Sequence, residues 1–69
     1  MNLDIRQHVK NNLSNASDND VISTIDDALN LGEEKVLPGL GVLFEIYWRS
    51  ASQDEKNRVA QTIANNVKQ

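Results

Sequence analysis

The sequence predicts a compact all-α bundle of about four short helices, one small domain over residues 1–69, and three observations lead there. Apolar residues recur at helical spacing in three separate stretches. Helix-starting and helix-stopping residues punctuate them, with Asn and Ser clustered at 11–17, then Gly32, Pro38 and Ser52. The connections left between are two to six residues long, which suits neighbouring helices in a bundle.

In chain order, Asn2 is placed to cap a first helix with Asp4 in its first turn, and Ile5, Val9 and Leu13 form one stripe at spacing four. Asn11, Asn12, Ser14 and Asn15 end it. A second helix starts at Ser17 or Asp18, whose short side-chain oxygens can accept orphan amide protons. Val21, Ile22, Ile25, Ala28 and Leu29 give it an apolar face, and Gly32 is positioned as its C-cap. The last helix is announced by a capping box, Ser52 with Glu55. Asp54 and Arg58 stand at ion-pair spacing there, and Val59, Ile63 and Val67, with Ala60 and Ala64, make a narrow stripe of small side chains.

Between these lies the richest stretch, Glu33 to Arg49, which holds the only Pro, Phe, Tyr and Trp and two of the three Gly. The residue before Pro38 is biased away from helical backbone, so a connection ends at Leu37. Beyond it, residues 40–48 fit two patterns. As a helix they pair Leu40 with Phe44, Leu43 with Tyr47, Phe44 with Trp48 and Glu45 with Arg49. As a strand they place Val42, Phe44, Ile46 and Trp48 on one face, in an α+β alternative with a hairpin at 34–48. Helix is favoured, because the nearby partner strand, Glu34 to Leu37, is short and ends in Pro.

Composition excludes several function classes. With no cysteine there is no disulfide or thiolate metal site, and the single His8 cannot hold zinc alone. Ten acidic against seven basic residues give a net charge of -3, and Asp18, Asp20, Asp26, Asp27, Glu33 and Glu34 follow one another with no Lys or Arg between. Such a face repels phosphate, so DNA is not the expected partner. The first ten residues are too polar for a signal peptide, and the apolar run Leu40 to Trp48 is too short to span a bilayer. The expected setting is therefore cytoplasmic. A chain of this length buries only about 60% of its unfolded surface, which directs attention to self-association.

Candidate chemistry is thin. Asp18-Asn19-Asp20 could open a calcium loop, but Ser23 and Leu29 stand where that loop needs Gly and Glu, and helix capping is the reading adopted. Gly39-Leu40-Gly41 lacks the third glycine of a dinucleotide fingerprint, so these glycines are assigned to a turn or to close packing. Asp4 and His8 share a helix face without a nucleophile in reach, and Ser50 and Ser52 have no His nearby in sequence. No enzyme, cofactor, metal or small-molecule substrate is expected. Tyr47, Trp48 and Arg49 are the residue types that dominate binding hot spots. They either fill the core or, with Leu40, Leu43 and Phe44, form the surface of a homo-oligomer.

The stretch Gly32-Glu33-Glu34-Lys35-Val36-Leu37-Pro38-Gly39-Leu40-Gly41-Val42-Leu43-Phe44-Glu45-Ile46-Tyr47-Trp48, followed by Ala51-Ser52 and Glu55-Lys56-Asn57, resembles the small, acid-soluble spore proteins of the I type from Bacillus relatives. Leu3 to Arg6, Thr24-Ile25 and Asp27-Ala28 extend the likeness over nearly the whole chain. The resemblance implies expression in the forespore, residence in the spore core and a non-catalytic packing or storage role, and it assigns no catalytic or ligand-binding residue. The elements of the separate α/β-type spore proteins that coat DNA are not visible. A weaker similarity links Gly32 to Val36, Gly39 to Gly41, Phe44-Glu45 and Arg49 to HU-type nucleoid proteins, with an extra residue before Phe44 and without the long basic arms. It implies a β-hairpin and architectural DNA binding as the alternative.

Overall fold

The computed structural model describes residues 4–68. Four α-helices and one 3₁₀ turn make up the chain there: α1 (Ile5–Asn12), α2 (Asp18–Leu31), the 3₁₀ turn (Glu34–Val36), α3 (Leu37–Ser50) and α4 (Gln53–Val67). The all-α expectation holds, and no strand occurs among the described residues. The hairpin alternative at 34–48 is replaced by the 3₁₀ turn running into α3. A helix satisfies its backbone groups within the segment, whereas a strand would have needed a second edge that this chain does not supply.

Side chains set each helix start. The cap expected at Asn2 lies outside the described residues. Asp4 is itself the N-cap of α1 rather than a first-turn residue, its Oδ1 accepting the Gln7 amide at 3.1 Å. α2 begins with a capping box: the Ser17 hydroxyl accepts the Asp20 amide at 3.2 Å, and the Asp20 carboxylate accepts the Ser17 amide at 3.1 Å. The predicted box opens α4, with Ser52 Oγ accepting from the Glu55 amide at 3.1 Å and Glu55 Oε1 accepting from the Ser52 amide at 2.8 Å. Each such cap contributes about 1 kcal/mol. The ion pairs among the described residues are Arg6–Glu45, Glu33–Lys35 and Glu45–Arg49, so the Asp54–Arg58 spacing is not used. Two long exposed side chains gain too little in water to hold one geometry.

Two connections differ in character. Gly32 ends α2 in the left-handed region at φ 66°, with its amide donating to Ala28 O at 3.2 Å. Gly32→Ala is expected to cost about 1–2 kcal/mol, because a Cβ is strained at that φ. A thermal melt should fall by several degrees, and an unchanged midpoint would contradict the left-handed geometry. The second connection corrects the expectation of a break before Pro38. Leu37 is helical at φ -60°, ψ -41°, and serves as the first residue of α3. The clash with a following proline disfavours that backbone without forbidding it, and a first-turn proline gives up only an amide that has no helical partner.

α3 is the centre, and its most extensive packing is against α1, with the 3₁₀ turn next. Val42 on α3, at 8% exposed, is the one buried residue among those described. The accessible surface is 5833 Å², whereas a folded monomer of this mass exposes about 4,300 Å². The radius of gyration, 13.4 Å, likewise exceeds the roughly 11 Å of a tightly packed chain of this length. The outer helices account for the looseness: Leu29 on α2 and Ile63 and Val67 on α4 remain 62%, 50% and 73% exposed.

Candidate interaction surface on the third helix

The five residues singled out in sequence divide between two sides of α3. Leu40 and Leu43, half-buried, look inward across an open groove of about 610 Å³ toward Ile5 and Val9 of α1, its C-cap Leu13, and Ala28 of α2. The stripe predicted for α1 is thus the wall that faces α3. Phe44, Tyr47 and Trp48 form the second set. Phe44 lies 5.4 Å from Trp48 and 6.5 Å from Tyr47 between ring centroids, the latter edge-on, so the i,i+4 and i,i+3 spacings are realised as ring contacts.

These aromatics do not form a closed core. Phe44 is 44% and Tyr47 37% exposed, and Trp48 is half-buried. Lys56 of α4 places its ammonium 5.4 Å from the Trp48 ring centroid, the cation–π contact by which α4 meets the aromatic cluster. Leu37, one turn before Gly41, is also exposed. Phe44 and Tyr47 are not enclosed by their own chain: α1 meets α3 at Val42, and α4 lays the Lys56 ammonium over the half-buried Trp48 ring.

Gly39 and Gly41 correct another expectation. Both lie inside α3, in neither a turn nor a close contact, and a Cβ added at either would meet nothing within 4 Å. Glycine inside a helix costs about 0.5–1 kcal/mol relative to alanine, and nothing within the chain offsets that cost. At Gly41 the missing side chain leaves a shallow groove of about 300 Å³, lined by Gly41, Phe44, Glu45, Trp48 and Arg49.

The polar rim is organised by Glu45. Its carboxylate accepts two bonds from the Arg6 guanidinium, 2.7 Å from Nε and 2.9 Å from Nη2, and lies 3.8 Å from Arg49. This fork-to-fork pairing clasps α1 to α3. Glu45–Arg49 was legible from its spacing; Arg6, far away in the chain, carried no such signal. The hydrogen bond from Arg6 holds the Glu45 carboxyl below its ordinary value, aided by the charges of Arg6, Arg49 and Lys10 against the opposing effect of desolvation. The Glu55 carboxyl is likewise held down, first by the Ser52 amide.

Both shifts have the same consequence for stability. A carboxyl with a lowered folded value favours folding above its unfolded value, about 4.3, and that contribution disappears as pH falls through the folded value. Thermal midpoints measured from pH 6 to pH 3 should therefore drop mainly below about pH 4. Glu45→Gln should flatten part of that drop, and a profile flat throughout would contradict the clasp.

Groups of catalytic type are otherwise engaged. Asp4 caps α1 through its side chain, the His8 ring shares a 3.2 Å hydrogen bond with the Asn12 amide, and the Ser50 hydroxyl donates to the Tyr47 carbonyl at 3.2 Å. Asp20, from the calcium-like triplet, is the capping-box carboxylate of α2. Among the described residues no cluster of three or more His, Cys, Asp or Glu could hold a metal ion. No helix among them is long and apolar enough to cross a membrane.

Residues 3–67 match the family model described as small, acid-soluble spore protein I. Similar curated proteins carry the same description. The one from Bacillus subtilis is 44% identical over 68 residues, covering 99% of this chain and 96% of its own. That from Geobacillus kaustophilus is 42% identical over 69 residues and the whole of both chains. That from Halalkalibacterium halodurans is 42% identical over 64 residues, 93% of this chain and 94% of its own. No solved structure matches the chain.

Proposed function

The chain belongs to the small, acid-soluble spore protein I family, and on that premise we propose that it is a non-catalytic packing or storage component of the dormant spore core that self-associates through α3. The observation that carries this reading is the surface left over. The accessible area of 5833 Å² exceeds that of a folded monomer of this mass by about 1,500 Å², and Phe44, Ile46 and Tyr47 of α3 are among the large apolar side chains left exposed. Exposed apolar side chains of this size are stabilised by burial against another molecule. A second copy is the partner always present where the chain is made. The roles of Asp4, Ser50 and Ser52 as capping or backbone-bonding groups support the non-catalytic part.

The alternative of an HU-like DNA binder depended on a hairpin at 34–48, and that segment is helical. No observation on this fold favours it, and the run of acidic residues from Asp18 to Glu34 opposes it.

Sedimentation equilibrium of the full chain over micromolar to millimolar concentrations tests self-association, with a dimer or higher species expected. A strict monomer at the highest concentration would remove it. Fractionation of dormant spores tests the location, and recovery in the coat instead of the core would remove that part alone.

A further inference from the structure

Charge on this molecule is sorted by place. Arg6, Lys10 and Arg49, three of the seven basic side chains, gather around Glu45: Arg6 and Arg49 lie 2.7 and 3.8 Å from its carboxylate, and the charge of Lys10 reaches it as well. Glu45 and Asp4 offset two of these three charges, so the rim stays positive. On α2 the balance is reversed. Asp18, Ile22, Asp26 and Leu29 follow at spacings of four, four and three, all exposed, while half-buried Val21, Ile25 and Ala28 keep to a different side. α2 contains no Lys or Arg, and neither Asp18 nor Asp26 belongs to the ion pairs among the described residues. We infer that the outer face of α2 in one copy docks on the α1–α3 rim of a second copy, with Ile22 against the groove at Gly41, Phe44 and Trp48, and Asp18 and Asp26 against Arg6, Lys10 and Arg49. The inference rests on the self-association reading and names the two surfaces that meet.

The chemistry of the groove selects its occupant. Of about 300 Å³, it has Arg49 in its own lining, and Glu45, which also lines it, is the residue that holds Arg6. Whatever fills it must be apolar in the middle and anionic at the edge. The outer face of α2 has that pattern, because exposed Ile22 stands one helical turn from a carboxylate on each side. Other pairings of this chain with itself do not. Two α1–α3 rims face to face would set cation against cation, and two α2 faces would set carboxylate against carboxylate. The exposed stripe of Ile63 and Val67 on α4 has no Asp or Glu beside it, since the helix carries none beyond Glu55. The contact therefore joins two different patches rather than one patch to itself.

The test is charge exchange on the full chain, read by sedimentation equilibrium, with circular dichroism to confirm that each variant stays helical. Lys10→Glu/Arg49→Glu and Asp18→Lys/Asp26→Lys should each associate at least about tenfold more weakly than wild type, because like charges then meet across the contact. Mixed one to one, they should recover an association within about threefold of wild type, since the unaltered α2 of the first meets the unaltered rim of the second. Arg58→Glu/Lys68→Glu, equal in net charge to the first variant but changed on α4, should associate like wild type. If a reversal unfolds the chain, the neutral pairs Lys10→Gln/Arg49→Gln and Asp18→Asn/Asp26→Asn take its place, each expected to weaken association several-fold. Variants that associate like wild type, a mixture that stays dissociated, or an α4 control weakened as far as they are would overturn this pairing and leave self-association in place. A wild-type chain that stays monomeric would overturn both.

Discussion

Replacing Val42 with Asp is expected to unfold the chain. Val42, at 8% exposed, is the most protected side chain described, and it lies with Ile5, Pro38 and Gly41 where α1 meets α3. An unpaired carboxylate there must be desolvated or protonated, at a cost of several kcal/mol. A single core in a chain this short rarely supplies more than about 3–5 kcal/mol, so the substitution consumes the whole margin. Far-UV circular dichroism should show loss of helix and of a cooperative melt. Val42→Ala, which removes only apolar contact, should cost about 1–2 kcal/mol and retain the melt. If Val42→Asp melts like the wild type, the α1–α3 seam is not what holds the fold.

Phe44→Asp is expected to do the opposite: leave the fold standing and abolish association. Phe44 is 44% exposed and is not enclosed by its own chain, so a charge there remains hydrated and the helices keep their caps and their Arg6–Glu45 clasp. In a self-associated form the same charge would be desolvated at the centre of the contact. Loss of a central aromatic anchor costs 2 kcal/mol or more, and the added charge should carry the weakening beyond about a hundredfold. Sedimentation should find a helical monomer. A variant that associates as well as wild type would move the contact away from this face, and one that unfolds would return Phe44 to the core.

These contrasting expectations, two residues apart on one helix, mark the limit of sequence reading. The spacing of Phe44 and Trp48 fits a helical pair as well as a strand face, and in the helix that forms, the rings of Phe44, Tyr47 and Trp48 meet at 5.4 and 6.5 Å. Spacing does not reveal which side of a helix is covered when it is apolar nearly all round, and so the core reading favoured for Tyr47 and Trp48 could not be tested against the surface one. The candidate set accordingly divides, Leu40 and Leu43 inward and Phe44 and Tyr47 outward.

What the sequence determined by itself is everything that depends on neighbours along the chain. Helix ends follow from hydrogen bonds spanning three residues, Ser52 with Glu55 and Ser17 with Asp20. The Gly32 terminus follows from one backbone angle, and the family from a match running through residues 3–67. The helical state of 40–48 was favoured for a local reason too, the absence of a second strand edge. Tertiary structure alone decided what lies against what: the Arg6–Glu45 clasp, Lys56 over Trp48, Val42 as the enclosed residue and Gly41 facing empty space. Those contacts depend on how rigid helices pack once formed. In a chain with four thin stripes and more apolar surface than they can cover, several packings satisfy the same pattern, and only the three-dimensional arrangement selects which side of α3 is left bare.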